Sequence, residues 1–238
     1  MFEKFPTRMV LGAAAWVLLL VVSSRAQSIS PVIVEYREKA RGSFTLSNDT
    51  VYPLDVVLEA FSFSVDERGQ PLYRPLDHGI QVRFSETSFR LGPRQNHVVF
   101  YEATAEVLPA WFTIYATVAK TGSHTPFRVA YQLPHTVYLL SKRNLERTAL
   151  VVRRAEADRN GDDIELEVEN CGEEFGRVLE VEEVSGSQKK ILPGFPFFPH
   201  QKRLLVLDRS AGQPPWRVIL KFANFKVETA VFPAQTSP

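Results

Sequence analysis

The chain has 238 residues and a formal net charge of +1. Such a balance offers no basic field for nucleic acid and no acidic tail. A single cysteine, Cys171, rules out an intrachain disulfide, so stability must come from packing of the plentiful aromatic and aliphatic side chains.

Residues 1–26 read as a secretory signal peptide. Lys4 and Arg8 make a short basic start, Met9 to Val22 is an apolar run, and Ser24-Arg25-Ala26 ends on the small residue that a signal peptidase needs. The run falls short of the roughly 20 residues that a spanning helix requires, which argues against an uncleaved anchor. With cleavage after Ala26 the mature chain is 27–238. It carries a net charge near −1, because the leader holds three of the basic residues and one acidic one.

The elements that follow are strands. Pro31 to Tyr36 alternates, with Val32, Val34 and Tyr36 in phase, and Gly42 to Ser47 places Phe44 and Leu46 in phase. Asn48-Asp49-Thr50 is turn chemistry. Leu54 to Val65 is a long strand pattern, closed by the charged turn Asp66-Glu67-Arg68-Gly69. Gln81 to Ser85, Thr87 to Leu91, His97 to Tyr101 and Trp111 to Val118 continue the series. Regular short strands separated by turn residues, without a capped helical stripe, predict a β-sandwich.

Phe127 to Leu140 is the most informative stretch. Phe127, Val129, Tyr131, Leu133, Val137 and Leu139 share one phase, interrupted only by His135, while Arg128, Gln132 and Thr136 mark the other. Alternation puts the apolar set on one face. Pro134 has no N–H to give to a ladder, so the strand belongs at a sheet edge or a bulge. A long apolar edge invites aggregation unless the fold covers it or a partner pairs with it.

Ser141 to Thr148 is polar and reads as a linker. Beyond it lie further strands at Leu150–Arg154, Ile164–Glu169, Arg177–Val184, Leu204–Leu207, Trp216–Phe222 and Lys226–Phe232. Asn160-Gly161 marks a hairpin and Pro193-Gly194-Phe195-Pro196 a turn. The predicted fold class is therefore all-β, with two immunoglobulin-like β-sandwich domains joined by a short linker. The domains are 27–142 and a smaller 143–238.

Catalytic and metal chemistry is not visible in the chain. No two of the five histidines fall at metal-ligand spacing, and His135 reads as a satisfied structural histidine. Asp158, Asn160, Asp162 and Glu169 match positions of a calcium loop. Asp163, however, stands where that loop needs its glycine, and a strand follows instead of a helix. Glu173-Glu174 and Glu182-Glu183 read as solvated surface, and Cys171 as a partly buried thiol beside a turn. The expectation is a protein that is not an enzyme, with no cofactor, no metal, no nucleic acid and no small-molecule substrate.

Several stretches, in order, resemble a known family. They are SISPVIVEY, SFTLSNDTVYPLDVVLEAFSFSVDERGQPLYRP, SETSFRLGPRQNHVVFYEA and RVAYQLPHTVYL, followed by EVENCGEE and ILPGFPFFPHQKRLLVL. Together they resemble the periplasmic pilus or fimbrial assembly chaperones, in particular the divergent archaic or spore-coat-type branch. The resemblance covers nearly all of the mature chain. It implies two immunoglobulin-like domains, a periplasmic location, and partners that are pilus-type subunit proteins and an outer-membrane usher. It also implies that the last strand of the first domain is lent to a subunit lacking one of its own, a form of β-augmentation. By position, Phe127, Val129, Tyr131 and Leu133 would be the lent side chains. Well-known members anchor the subunit's carboxylate with basic residues at positions that here are Val32 and Thr136. Either the anchor has moved, to Arg83, Arg90 or Arg128, or no carboxylate is clamped. The alternative is a structural or adhesive envelope protein that self-associates through the same strand, since one fold hosts many functions.

Overall fold

A computed structural model describes residues 27–121, 129–157, 163–208 and 216–231. The first ten strands are β1 (Gln27–Ser30), β2 (Ile33–Arg37), β3 (Lys39–Asn48), β4 (Leu54–Val65), β5 (Pro71–Pro75), β6 (Ile80–Phe84), β7 (Ser88–Leu91), β8 (Asn96–Ala105), β9 (Ala110–Lys120) and β10 (Ala130–Leu140). They form two sheets. One has the order β1-β3-β8-β6; the other runs β2-β10-β9-β4-β5, with β7 also on β4. Pairing is antiparallel throughout, except that β2 lies parallel to β10.

The alternation that makes these strands also fills the core. On β9, Phe112, Ile114, Ala116 and Val118 point inward and are buried. They meet Phe44 and Leu46 of β3, Leu54, Val56 and Leu58 of β4, and Val137 and Leu139 of β10. Each large aliphatic or aromatic group buried this way stabilises the fold by about 1.5–3 kcal/mol relative to exposure.

The second set comprises β11 (Leu150–Ala157), β12 (Asp163–Asn170), β13 (Gly176–Ser185), β14 (Gln188–Phe197), β15 (Lys202–Asp208), β16 (Trp216–Lys221) and β17 (Lys226–Val231). Its sheets have the orders β11-β12-β15 and β14-β13-β16-β17. On β12, Ile164, Leu166 and Val168 face the core, while Asp163, Glu165, Glu167 and Glu169 alternate outward, the pattern of an antiparallel sheet with one wet face.

A third apolar cluster joins the two sandwiches. Phe63 and Tyr138 from the first meet Phe175 and Phe198 from the second, all buried, with Trp111 packed beside them. The β4–β5 hairpin also rests on the second sandwich: Leu204 N–H donates to Glu67 O at 2.8 Å, and Gln201 Nε2 donates to Asp66 O at 3.3 Å. The connecting segment is held by Arg37, whose guanidinium donates to Ser141 O at 2.6 Å and to Asn144 Oδ1 at 2.7 Å.

Several sequence expectations need correction. The strand expected over Pro31–Tyr36 is interrupted at Pro31-Val32, where the chain leaves one sheet for the other. The stretch Pro71–Pro75, left unassigned, is a strand. Pro193–Pro196, expected as a turn, lies within β14. Both strands are sheet edges, where one row of N–H groups has no neighbour and proline is tolerated. Cys171 is exposed, not partly buried. Glu182 and Glu183 are buried instead of solvated. Glu182 is compensated by Lys189 and Lys221, whose hydrogen bonds hold its carboxyl below the usual range. The hairpin turn at Asn160-Gly161, and Asp158 and Asp162 of the calcium-like pattern, lie outside the described residues.

Candidate partner-binding edge

β10 changes its surroundings halfway along. From Ala130 to Leu139 it pairs with β9 on one side, Ala130 opposite Ala119 and Leu139 opposite Ala110. On its other side β2 joins only at Thr136, opposite Ile33, and continues to Leu140 opposite Arg37. Among the described residues, no strand pairs with Ala130–His135 on that side. The result is an open lane, in line with β2 and ahead of it.

The polarity of the lane follows from strand geometry. Thr136 N–H points toward β2 and donates to Val32 O at 2.7 Å. Successive residues direct their backbone polar groups to opposite sides. Gln132 and Ala130 therefore direct N–H and C=O into the open lane, and Pro134 directs only its C=O there. Proline's missing donor faces the lane, so the β9 ladder keeps its bonds and the register stays continuous.

Side chains along β10 grade from buried to exposed. Leu139, Val137 and His135 are fully buried and Leu133 is half-buried against the first core. Tyr131 and Val129, on the same face, are 52% and 62% exposed. That apolar face thus runs past the end of its own core into solvent. Val32 and Ile33, at the end of the lane, are also about half exposed.

The other predicted site residues are dispersed. Phe127 and Arg128 lie outside the described residues. Arg83 is exposed on β6, in the opposite sheet. Arg90 is on β7, three strands from β10, and pairs with Asp55 at 3.3 Å. Val32 and Thr136 are brought together by the Thr136 N–H bond. Arg177, from the second sandwich, also reaches this sheet. It pairs at 2.6 Å with Glu35, which lies opposite Tyr138.

His135 sits where open lane becomes paired strand. Its Nδ1 is 2.6 Å from Pro31 O and its Nε2 is 2.9 Å from Tyr101 Oη, with Tyr36 Oη 3.4 Å beyond. A carbonyl can only accept, so Nδ1 carries the proton and Nε2 accepts from the Tyr101 hydroxyl. Burial pushes the imidazole pKa down, opposed by the bond to Pro31, and the ring is neutral. Burial, reinforced by Tyr36, pushes the Tyr101 phenol well above its ordinary range.

No family model matches the chain, and no curated protein matches it. Solved structures do. The YadV chaperone superposes with a TM-score of 0.56 at 10% identity, covering 86% of this chain and 98% of that one. The class 5 fimbriae chaperone CfaA gives 0.54 at 11% identity, over 87% of this chain and 99% of that one. A chain from the chaperone–tip adhesin complex of CFA/I fimbriae gives 0.51 at 10% identity, over 88% of this chain and all of that one. At these identities the likeness is one of fold: the two immunoglobulin-like sandwiches of this chain are the fold of the fimbrial chaperones.

Proposed function

We propose that this chain is a periplasmic chaperone of the pilus-assembly family that binds pilus-type subunits by lending the open edge of β10. The observation that carries the reading is the unpaired edge itself. Ala130 and Gln132 present backbone donors and acceptors beside the exposed Val129 and Tyr131. A client strand laid in the lane gains ladder bonds, which tolerate many sequences, and the lent apolar side chains enter the client's incomplete core. Phe127, Val129, Tyr131 and Leu133 are the lent residues in this reading. Leu133 contributes least, because it is already packed against the chaperone's own core. Pro134 ends the lent segment.

The fold of chaperones in complex with a tip adhesin supports a subunit as partner. Delivery to an outer-membrane usher, export by a cleaved leader over 1–26, and division into domains at 27–142 and 143–238 complete the proposal. Of the three candidate arginines, Arg128 alone belongs to the chain that leads into the lane. The activity is binding, without catalysis.

The test is isolation of the chain from the periplasm of its host and native mass spectrometry of what it carries. The expected result is a stoichiometric β-rich partner that disappears in Val129→Arg, which puts a charge on the lent face. A chain found alone in both forms would overturn the reading. A homodimer lost on the same substitution would favour self-association in its place.

A further inference from the structure

We infer that the His135 imidazole is the pin that ends the open lane: it holds the β1–β2 crossover at Pro31 against β10, so that β2 enters the ladder at Thr136 and no earlier. His135 is fully buried and meets the β1–β2 crossover, β8, β3 and β9. Nδ1 holds Pro31 O at 2.6 Å, in the crossover between β1 and β2. Nε2 holds Tyr101 Oη of β8 at 2.9 Å. The Phe44 ring of β3 lies 4.9 Å from the imidazole, and Ile114 of β9 is its ladder partner. The titratable groups facing it are the phenols Tyr36 and Tyr101.

The position of the pin gives it leverage. Pro31 immediately precedes Val32, whose carbonyl receives the first β2–β10 bond from Thr136 N–H at 2.7 Å. Without the imidazole, the Pro31 carbonyl loses its donor and the crossover its tie to the sandwich interior. The ladder would then fray from its start, and the lane would lengthen toward Tyr138. His135 is thus a positioning residue. Its bearing on where a client strand must stop rests on the strand-lending reading, whereas the pin itself is a property of the isolated chain.

Two neighbouring amides separate a pin from general packing. Thr136 N–H faces β2 and Val137 N–H faces β9. Amide hydrogen exchange on the full mature chain, with no client present, should show Thr136 accelerated at least tenfold in His135→Leu and Val137 changed less than twofold. In His135→Asn the carboxamide nitrogen takes the place of Nδ1, and the slow Thr136 exchange should return. Equal acceleration of both amides, no change at Thr136 in a folded Leu variant, or failure of the Asn variant to restore it would overturn the inference. If the Leu variant does not fold, His135→Phe fills the site with a ring that cannot donate to the Pro31 carbonyl. A Thr136 rate unchanged relative to Val137 in that variant would be equally decisive against it. None of these outcomes depends on a client, so the pin can fail while strand lending stands, and the reverse.

Discussion

Asn48 and Asn170 occupy the same station in the two sandwiches. Each is fully buried at the end of a strand. Each donates its backbone N–H at 2.9 Å to the carbonyl of a glutamine, Gln95 and Gln201 respectively. The Asn48 carboxamide donates to Tyr52 O at 2.8 Å and Gly92 O at 2.9 Å, and that of Asn170 to Glu174 O and Phe198 O, both at 2.9 Å. Each Oδ1 accepts the N–H two residues on, from Thr50 and Gly172. The glutamines complete the match: Gln95 Oε1 accepts from Gly92 N–H and Gln201 Oε1 from Phe198 N–H, across the turns Gly92-Pro93-Arg94-Gln95 and Phe198-Pro199-His200-Gln201. The third residue of each turn, Arg94 or His200, has a positive φ, 57° or 55°.

Removing either carboxamide leaves at least two carbonyls and an N–H, in partly or fully buried positions, without these partners. Asn48→Ala and Asn170→Ala should each cost about 2–4 kcal/mol. Urea unfolding followed by circular dichroism checks this. A loss below about 0.5 kcal/mol, the range of ordinary surface substitutions, would contradict the role.

Stability should depend on pH through His135. Its folded-state pKa lies below the ordinary 6.5, so the unfolded chain takes up the proton first as pH falls. The contribution is complete above about pH 6.5 and declines below it, by up to about 1.4 kcal/mol per pH unit until the folded value is reached. The difference in unfolding free energy between the wild type and His135→Asn, measured from pH 7.5 to 5, should show that slope. Parallel curves would exclude it.

Gly194 lies on β14 between Pro193 and Phe195, which pair with Glu180 and Val178 of β13. A Cβ there would stand 1.9 Å from Val178 O and 2.5 Å from Leu179 C, both backbone atoms that cannot swing aside. Gly194→Ala should cost about 3 kcal/mol or more by overpacking. A fall in midpoint temperature of several degrees in thermal unfolding is the expected reading; an unchanged midpoint would show that the strands separate cheaply.

Phe198 holds the two sandwiches together from the second side. Its ring centroid lies 4.6 Å from Trp111, 6.0 Å from Phe63 and 5.6 Å from Phe175. Phe198→Ala should cost about 3–5 kcal/mol. It should also shift Trp111 emission to the red, because water gains access to the indole whose Nε1 now donates to Phe63 O at 2.7 Å. An unshifted emission would mean that the cluster closes over the gap.

The lane and its lent residues were legible to different degrees. Alternation and Pro134 indicated an apolar edge strand, and the edge is present from Ala130. The grading of exposure from Leu133 to Val129 was not legible, since it depends on where the neighbouring sheet ends. The paired Asn–Gln stations were visible only as two unrelated turns. Their likeness includes hydrogen bonds between residues 28 to 47 positions apart, which no local pattern reports.

Side-chain alternation and turn chemistry, both properties of a few consecutive residues, were enough to establish an all-β chain, most of its strands and the apolar face of β10. Which edge stayed open, and where β2 closed it, depended on strand pairing between residues about a hundred positions apart. Pairing also carried Arg83 and Arg90 away from the lane and buried Glu182 against Lys189 and Lys221. Charge patterns could not foresee these placements, because the free energy that sets them comes from long-range contacts that close large loops before any of them is formed.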